Sequence, residues 1–285
     1  MSTAVQRSIR SSSYAWIATA VVVIIVVTLV VVKVTRGSGG STGLSDVAAS
    51  ATLQSEVTTS NMRVADATQK LVSSSVVAPL THITGQPPLT LGGKPDVLYV
   101  GAEWCPFCAA QRWALAVALG RFGTLSGLDL TWSSDAVGEA YPRTPTLSFV
   151  HVSYSSPYIS FESVETETRT HQPLQALSPR QQAVFSKYDQ NSYLPANQPG
   201  YPGSIPFLDV GNSYFQAGSS FSPGVLSGLT QSSIAAGLSV PSNPVTQAIV
   251  GAANEITAGI CTLTHAQPTS VCRAGAITAM TKSSI

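Results

Sequence analysis

"DVLYVGAEWCPFC", residues 96–108, decides how the rest of this chain is read. Its first half, Asp96 to Val100, is a short apolar run of strand type that ends at Gly101. From Cys108 onward, "CAAQRWALAVALGRF" places Trp113, Leu115, Val117, Ala118, Leu119 and Phe122 at helical spacing, with Gly120 and Gly123 near the end. The cysteine pair Cys105 and Cys108 therefore stands where a strand gives way to a helix.

That position has a chemical consequence. The reactive form of cysteine is the thiolate, and the unpaired N–H groups and positive dipole end of a helix start stabilise an anion there. Cys105 is thus the expected nucleophile. Pro106 suits the first helical turn, where its missing N–H is not needed. Cys108 lies one turn along, placed to attack a mixed disulfide and release the product, so the pair reads as a two-electron thiol–disulfide exchanger. A fixed structural disulfide is the blander alternative, although so short a loop constrains the unfolded chain little. A metal-binding pair completed by His82 or His151 is another, as is zinc held by all four cysteines, but no ligand spacing points to either. Trp104 is expected to shape a contact surface for a substrate polypeptide, and Glu103 to be solvent-exposed.

Working back toward the N-terminus, residues 11–32 carry no charge, and "YAWIATAVVVIIVVTLVVV" begins at Tyr14. This matches the ~20 residues that a helix needs to cross a bilayer. The sequence divides into a cytoplasmic segment 1–13, a transmembrane helix 14–34, a linker or stalk 35–78 opened by "GSGGSTG", and an extracytoplasmic domain 79–285. Arg7 and Arg10 precede the span and Lys33 and Arg36 follow it, which favours a cytoplasmic N-terminus only slightly. A cleaved signal peptide is the alternative, with an apolar region usually shorter than this one. An outward-facing domain lies where disulfides persist.

Working forward, "LDLTW" (128–132) reads as a strand, and "TLSFVHVSY" with "YISFESVET" as a hairpin turned at "SSP". A short helix begins after Ser178 as N-cap, with Pro179 as first helical residue. Beyond the loop "LPANQPGYPG" come "SIPFLDV", the turn Gly211-Asn212, "SYFQAG", and helical stretches over 223–238 and 245–260. Strands and helices in this order indicate a mixed α/β fold. Cys261 and Cys272 bracket a loop suited to a structural disulfide, which could contribute about 3 kcal/mol; a relay to the first pair is the alternative. The net charge of +1, with charged residues at only 10%, leaves no footprint for nucleic acid.

The strand, the "AEWCPFC" turn and the apolar helix resemble the active-site unit of the thioredoxin superfamily. The resemblance implies a second hallmark, a cis-proline that packs against the cysteines and opens a hairpin. "GSIPFLDVGN" offers Ile205 and Pro206; "RTPTLSF" offers Thr144 and Pro145. Pro206 has the better-formed turn and trailing helix but requires an inserted segment, whereas Pro145 suits a compact thioredoxin. Together with the anchor and the late cysteine pair, "EWCPFCAAQRWALAVAL" and "SIPFLDVGN" are similar to an uncharacterised prokaryotic family of membrane proteins, domain-of-unknown-function family 929. The resemblance implies a thioredoxin-like fold with an inserted segment behind one N-terminal transmembrane helix. The family supplies no known substrate; with the cysteine pair, the expected function is a thiol–disulfide oxidoreductase of the cell membrane, without cofactor or metal. Its partners would be cysteine-containing exported proteins, a membrane redox partner, and the bilayer through residues 14–34. Cys105 attacks in this reading, Cys108 resolves, Pro206 orients the substrate backbone, and Ile205 joins Trp104 on the substrate surface. A non-catalytic binding or scaffold module of the same fold and a metal-delivery protein are the competing classes.

Overall fold

The structure, a computed structural model, describes residues 46–59, 61–72, 75–189, 193 and 203–283. The expected membrane span over 14–34 and the segment before it lie outside these residues. Among the described residues, no helix is long and apolar enough to cross a membrane.

In chain order the elements begin with β1 (Val47–Ala48), α1 (Ala51–Thr58), α2 (Met62–Gln69), β2 (Thr81–His82), β3 (Thr90–Leu91), β4 (Lys94–Gly101) and α3 (Pro106–Gly120). Next come β5 (Thr124–Ser126), β6 (Asp129–Trp132), β7 (Pro145–Ser148), β8 (Ser153–Ser155), β9 (Ser160–Glu165) and α4 (Pro179–Tyr188). The last part holds β10 (Phe207–Val210), β11 (Tyr214–Ala217), a 3-10 turn (Pro223–Leu226), α5 (Gln231–Gly237), α6 (Pro244–Leu263), α7 (Thr269–Cys272) and α8 (Gly275–Ser283).

Strand β4 is the middle of the main sheet, parallel to β9 on one side and antiparallel to β10 on the other, with β11 and β2 beyond β10. Its apolar run is continuous because both faces are covered. Val97 and Tyr99 point into a large core shared with Trp113, Leu119, Leu208, Ile249 and Ile256. Leu98 and Val100 point the opposite way, toward Val184, Tyr188, Phe207 and Phe215. The two-residue alternation of a strand thus splits four adjacent apolar side chains between two cores. Helices α3 and α6 cover the first face and α4 the second, giving three layers.

Helix α3 is apolar nearly all round because it is enclosed, with Trp113, Leu115 and Leu119 fully buried. At roughly 1.5–3 kcal/mol for each such side chain, this packing far outweighs the fraying of a helix end. The first turn, which carries the cysteines, is therefore held in place. Between β10 and β11, Gly211 and Asn212 take positive φ of 67° and 55°, a backbone that these residue types tolerate, and the turn closes the hairpin.

Three sequence expectations need correction. First, residues from Asp46 onward belong to one compact unit, so part of the expected stalk is not free-standing. Leu53 and Val57 of α1 and Ala65 of α2 are buried in the main core. Second, 146–166 is not a hairpin: β7 pairs with β6, β8 with β5, and β9 enters the main sheet beside β4. Alternation identifies strands, but partners are chosen by distant surfaces. Third, the helix expected over 223–238 is interrupted after its 3-10 turn, where Gly228 adopts φ of 73° before α5 starts under a Thr230/Ser233 capping box.

Candidate functional site

Cys105 is the N-cap of α3, with extended backbone, and Pro106 is the first helical residue. The Cys108 N–H donates to the Cys105 Sγ at 3.2 Å. The sulfur thus occupies the place that a capping oxygen fills elsewhere, satisfying an otherwise unpaired helix-start donor. The Cys105 thiol faces the Ile205 carbonyl at 3.8 Å, and the Ile205–Pro206 peptide is cis. Pro145 is not beside the pair in this way. It opens β7, its carbonyl accepts from the Trp113 indole at 2.9 Å, and its own peptide is not cis. Of the two candidate prolines, Pro206 is the one whose cis peptide faces Cys105 and opens a hairpin.

Cys105 and Cys108 are free thiols in the structure, not bonded to each other. Cys105 is 3% exposed and Cys108 not at all, so the first sulfur is covered more closely than its expected role suggests. Its cover consists of Ala102, Trp104 and Ile205, the last two half-buried. The Trp104 ring lies against His171, with centroids 4.5 Å apart, and its indole N–H has no hydrogen-bond partner among the described residues. Phe107, between the cysteines, is 40% exposed and meets Tyr141 edge-on. An apolar rim therefore surrounds a nearly covered sulfur.

The two thiols are driven apart in acidity. Burial pushes the Cys105 thiol up, but hydrogen bonds from the Cys108 thiol and N–H, the Arg112 charge and the Phe107 N–H together bring it below the ordinary thiol value. Burial pushes Cys108 well up, helped by its hydrogen bond to Cys105 and the charge there. The pair is thus arranged as one anion-prone sulfur held by one protonated sulfur.

A buried charge cluster stands behind them. Arg112 is fully buried and bonds both Glu165 carboxylate oxygens at 2.8 Å, from Nε and Nη2; Nη2 also donates to the Ala102 carbonyl at 2.8 Å. Burial pushes Glu165 up to about 7, while the Arg112 charge holds it down. Glu103 is 3% exposed, contrary to the solvent-facing role expected of it; it accepts from the Ser148 hydroxyl at 2.9 Å and sits 3.9 Å from Arg112. Sequence reading missed Arg112 and Glu165. The available signal was an arginine inside "AAQRWALAVAL", because a charge in a helix apolar all round must be buried and paired.

Cys261 and Cys272 form a disulfide with a sequence separation of 11. Its sulfurs are consequently unavailable to a four-cysteine zinc site. The bridge lies at the C-terminal end of α6, whose Leu263 packs under the turn at Gly211. That turn is the end of β10 opposite Pro206, so the structure does not bring the two cysteine pairs together. His82 stacks on Tyr214 and His151 pairs with Asp129, neither of them beside the cysteines. No group of three or more metal-holding side chains occurs among the described residues.

No curated protein and no solved structure matches this chain. One family profile does, described as domain of unknown function (DUF929), over residues 82–262. The matched stretch contains the cysteine pair, the Arg112–Glu165 ion pair and the cis-proline, and covers more than half of the sequence: the chain belongs to the DUF929 family.

Proposed function

We propose that this protein is a membrane-anchored thiol–disulfide oxidoreductase of thioredoxin-like fold, acting on cysteine-containing exported proteins. The observation that carries the proposal is the capped first sulfur. Cys105 Sγ accepts from the helix-start N–H of Cys108, faces the carbonyl before Pro206, and is the more acidic member of a reduced pair. The sheet order supports the fold: a central strand feeding the cysteine turn, a parallel neighbour in β9, and a hairpin β10–β11 entered through the cis-proline.

In the reducing direction, the Cys105 thiolate attacks one sulfur of a substrate disulfide. A bond forms between Cys105 and the substrate, and the other substrate sulfur leaves as a thiolate that takes up a proton. Cys108 then loses its proton and attacks the Cys105 sulfur, releasing the second substrate thiol. The substrate gains two electrons and two protons, and the protein ends as the Cys105–Cys108 disulfide. The oxidising direction is the same sequence reversed; in isomerisation another thiolate of the substrate, in place of Cys108, attacks the mixed disulfide, closing a new substrate disulfide and returning Cys105 as a thiolate. Backbone at Ile205 and Pro206 aligns the substrate chain, with Trp104 and Phe107 forming the apolar rim it rests on.

Anchorage through 14–34 with residues 1–13 in the cytoplasm completes the reading. The Cys261–Cys272 bridge supports an oxidising, extracytoplasmic setting for the domain. The direct test is trapping in cells: Cys108→Ala should accumulate mixed disulfides with exported proteins, and Cys105→Ala should abolish both trapping and turnover. Retention of full disulfide-exchange activity by both variants would refute the proposal.

One observation favours a second reading, a non-catalytic binding module of the same fold. It is the 3% exposure of Cys105, which a scaffold needs no reason to raise. Absence of any reactive thiol in the native protein would favour that module.

A further inference from the structure

Away from the cysteines, at the other end of α3, Arg121 forms the helix C-cap and is 6% exposed. Its Nη1 donates to the Thr257 hydroxyl at 2.8 Å and the Ala253 carbonyl at 3.3 Å, both on α6. These are its only side-chain hydrogen bonds among the described residues, and no carboxylate comes within ion-pair distance. Asp66 acts on it only through space, and its Oδ1 is occupied by the Ala276 N–H. Burial lowers the guanidinium to about 10, the signature of a cation whose lost hydration is not fully replaced. Favourable interaction with the negative end of α3 accounts for an arginine at this position. Its Nε and Nη2 make no hydrogen bond to the described residues and are not sealed from solvent, so they remain free to meet a ligand.

The same guanidinium lines a cavity of about 310 Å³ between α1, α2, α3, α5 and α6. That is near the lower end of small-molecule sites, which run from about 300 to 1,000 Å³. Part of the lining is aliphatic, formed by Val57, Val64, Val117, Leu238 and Val250, and the rest is polar, with Ser55, Thr59, Asn61 and Ser239. Glu56 also lines the cavity, but it is exposed, so solvent screens its charge. A buried arginine with free donors against aliphatic walls fits a ligand with one anionic head and a short hydrocarbon body. We propose that this cavity binds an aliphatic monocarboxylate, its head group paired with Arg121. The inference is independent of the thiol chemistry, since it involves neither cysteine.

The test uses the full chain in lipid nanodiscs, with methyl NMR of its valines and leucines during titration by hexanoate, 1-hexanol and inorganic phosphate at fixed ionic strength. Hexanoate should shift the Val57, Val117, Leu238 and Val250 methyls saturably and bind about tenfold more tightly than hexanol, the margin of a charge-assisted bidentate contact. Phosphate, which makes no use of the aliphatic walls, should bind more weakly than hexanoate. Arg121→Gln should bring hexanoate down to the affinity of hexanol. Should that variant misfold, Val117→Trp, which fills the cavity and leaves the guanidinium intact, should abolish hexanoate binding. Equal binding of hexanoate and hexanol, phosphate binding as tight as hexanoate, no saturable shift, or unaltered hexanoate affinity in either folded variant would overturn the assignment.

Discussion

Arg112 and Glu165 join α3 to the end of β9 through a bidentate, fully buried ion pair, and the same guanidinium holds the Ala102 carbonyl just ahead of Cys105. Neither charge meets water, so each depends on the other for its stability in the interior. The Arg112 charge also reaches both sulfurs, lowering the affinity of each for its proton. One side chain therefore ties the geometry of the cysteine turn to its acidity.

Removing that charge should have two separable effects. Arg112→Met leaves Glu165 buried and uncompensated and should cost about 3–5 kcal/mol in urea denaturation. The double variant Arg112→Met/Glu165→Met should recover most of that loss. In both, the Cys105 thiol should titrate at higher pH than in the unsubstituted protein, measured by alkylation rate against pH. Recovery of stability together with recovery of the low thiol value would contradict the role given to Arg112.

Gly101 ends β4 directly over Tyr99, whose ring occupies the space that a Cβ would need. Tyr99 is fully buried, so Gly101→Ala should destabilise by about 1–3 kcal/mol through overpacking. The Tyr99 hydroxyl has no hydrogen-bond partner among the described residues. Tyr99→Phe should therefore leave stability unchanged or raise it slightly, and a thermal melt of each variant checks both statements.

Much of this was legible in the sequence, and the limits have physical causes. The strand before Cys105, the helix after Cys108, the cap at Ser178 and the hairpin turn at Gly211 are set by local residue chemistry, and the structure has all four. The pairing of β9 with β4 was not legible, because a strand's partner depends on which surfaces remain after the rest has packed. Glu103 was misjudged for the same reason. Its neighbours in sequence say nothing of Ser148 and Arg112, which reach it from a different sheet and from the buried side of α3. The turn and trailing helix after Pro206 favour it over Pro145 from sequence, and the Ile205 carbonyl facing the Cys105 sulfur separates the two in three dimensions.

Stability should fall as pH rises through neutrality, and Asp209 contributes to that fall. Burial, opposed by the Asn212 N–H and reinforced by the Asp96 charge, raises its carboxyl from an ordinary 3.8 to about 7. The folded protein thus holds a proton that the unfolded chain has released. The contribution is complete below pH 3.8 and is lost as pH passes through about 7. Asp209→Asn should flatten the difference in urea midpoint between pH 5 and pH 8; an unchanged difference would contradict this assignment.

The Cys261–Cys272 bridge closes a short loop at the far end of α6. Replacing both cysteines with alanine should cost about 3 kcal/mol of stability while leaving the alkylation profile of Cys105 unchanged. A changed profile would show that the second pair communicates with the first.

The central claim, one acidic sulfur at a helix start paired with one that keeps its proton, is tested most directly by alkylation of the reduced full chain across pH 5 to 10, with the modified residue identified by mass spectrometry. The expected result is modification of Cys105 with a midpoint below that of the same thiol in urea, while Cys108 remains unmodified until well above it. Modification of Cys108 first, or a native Cys105 that titrates no lower than in the unfolded chain, would contradict the account.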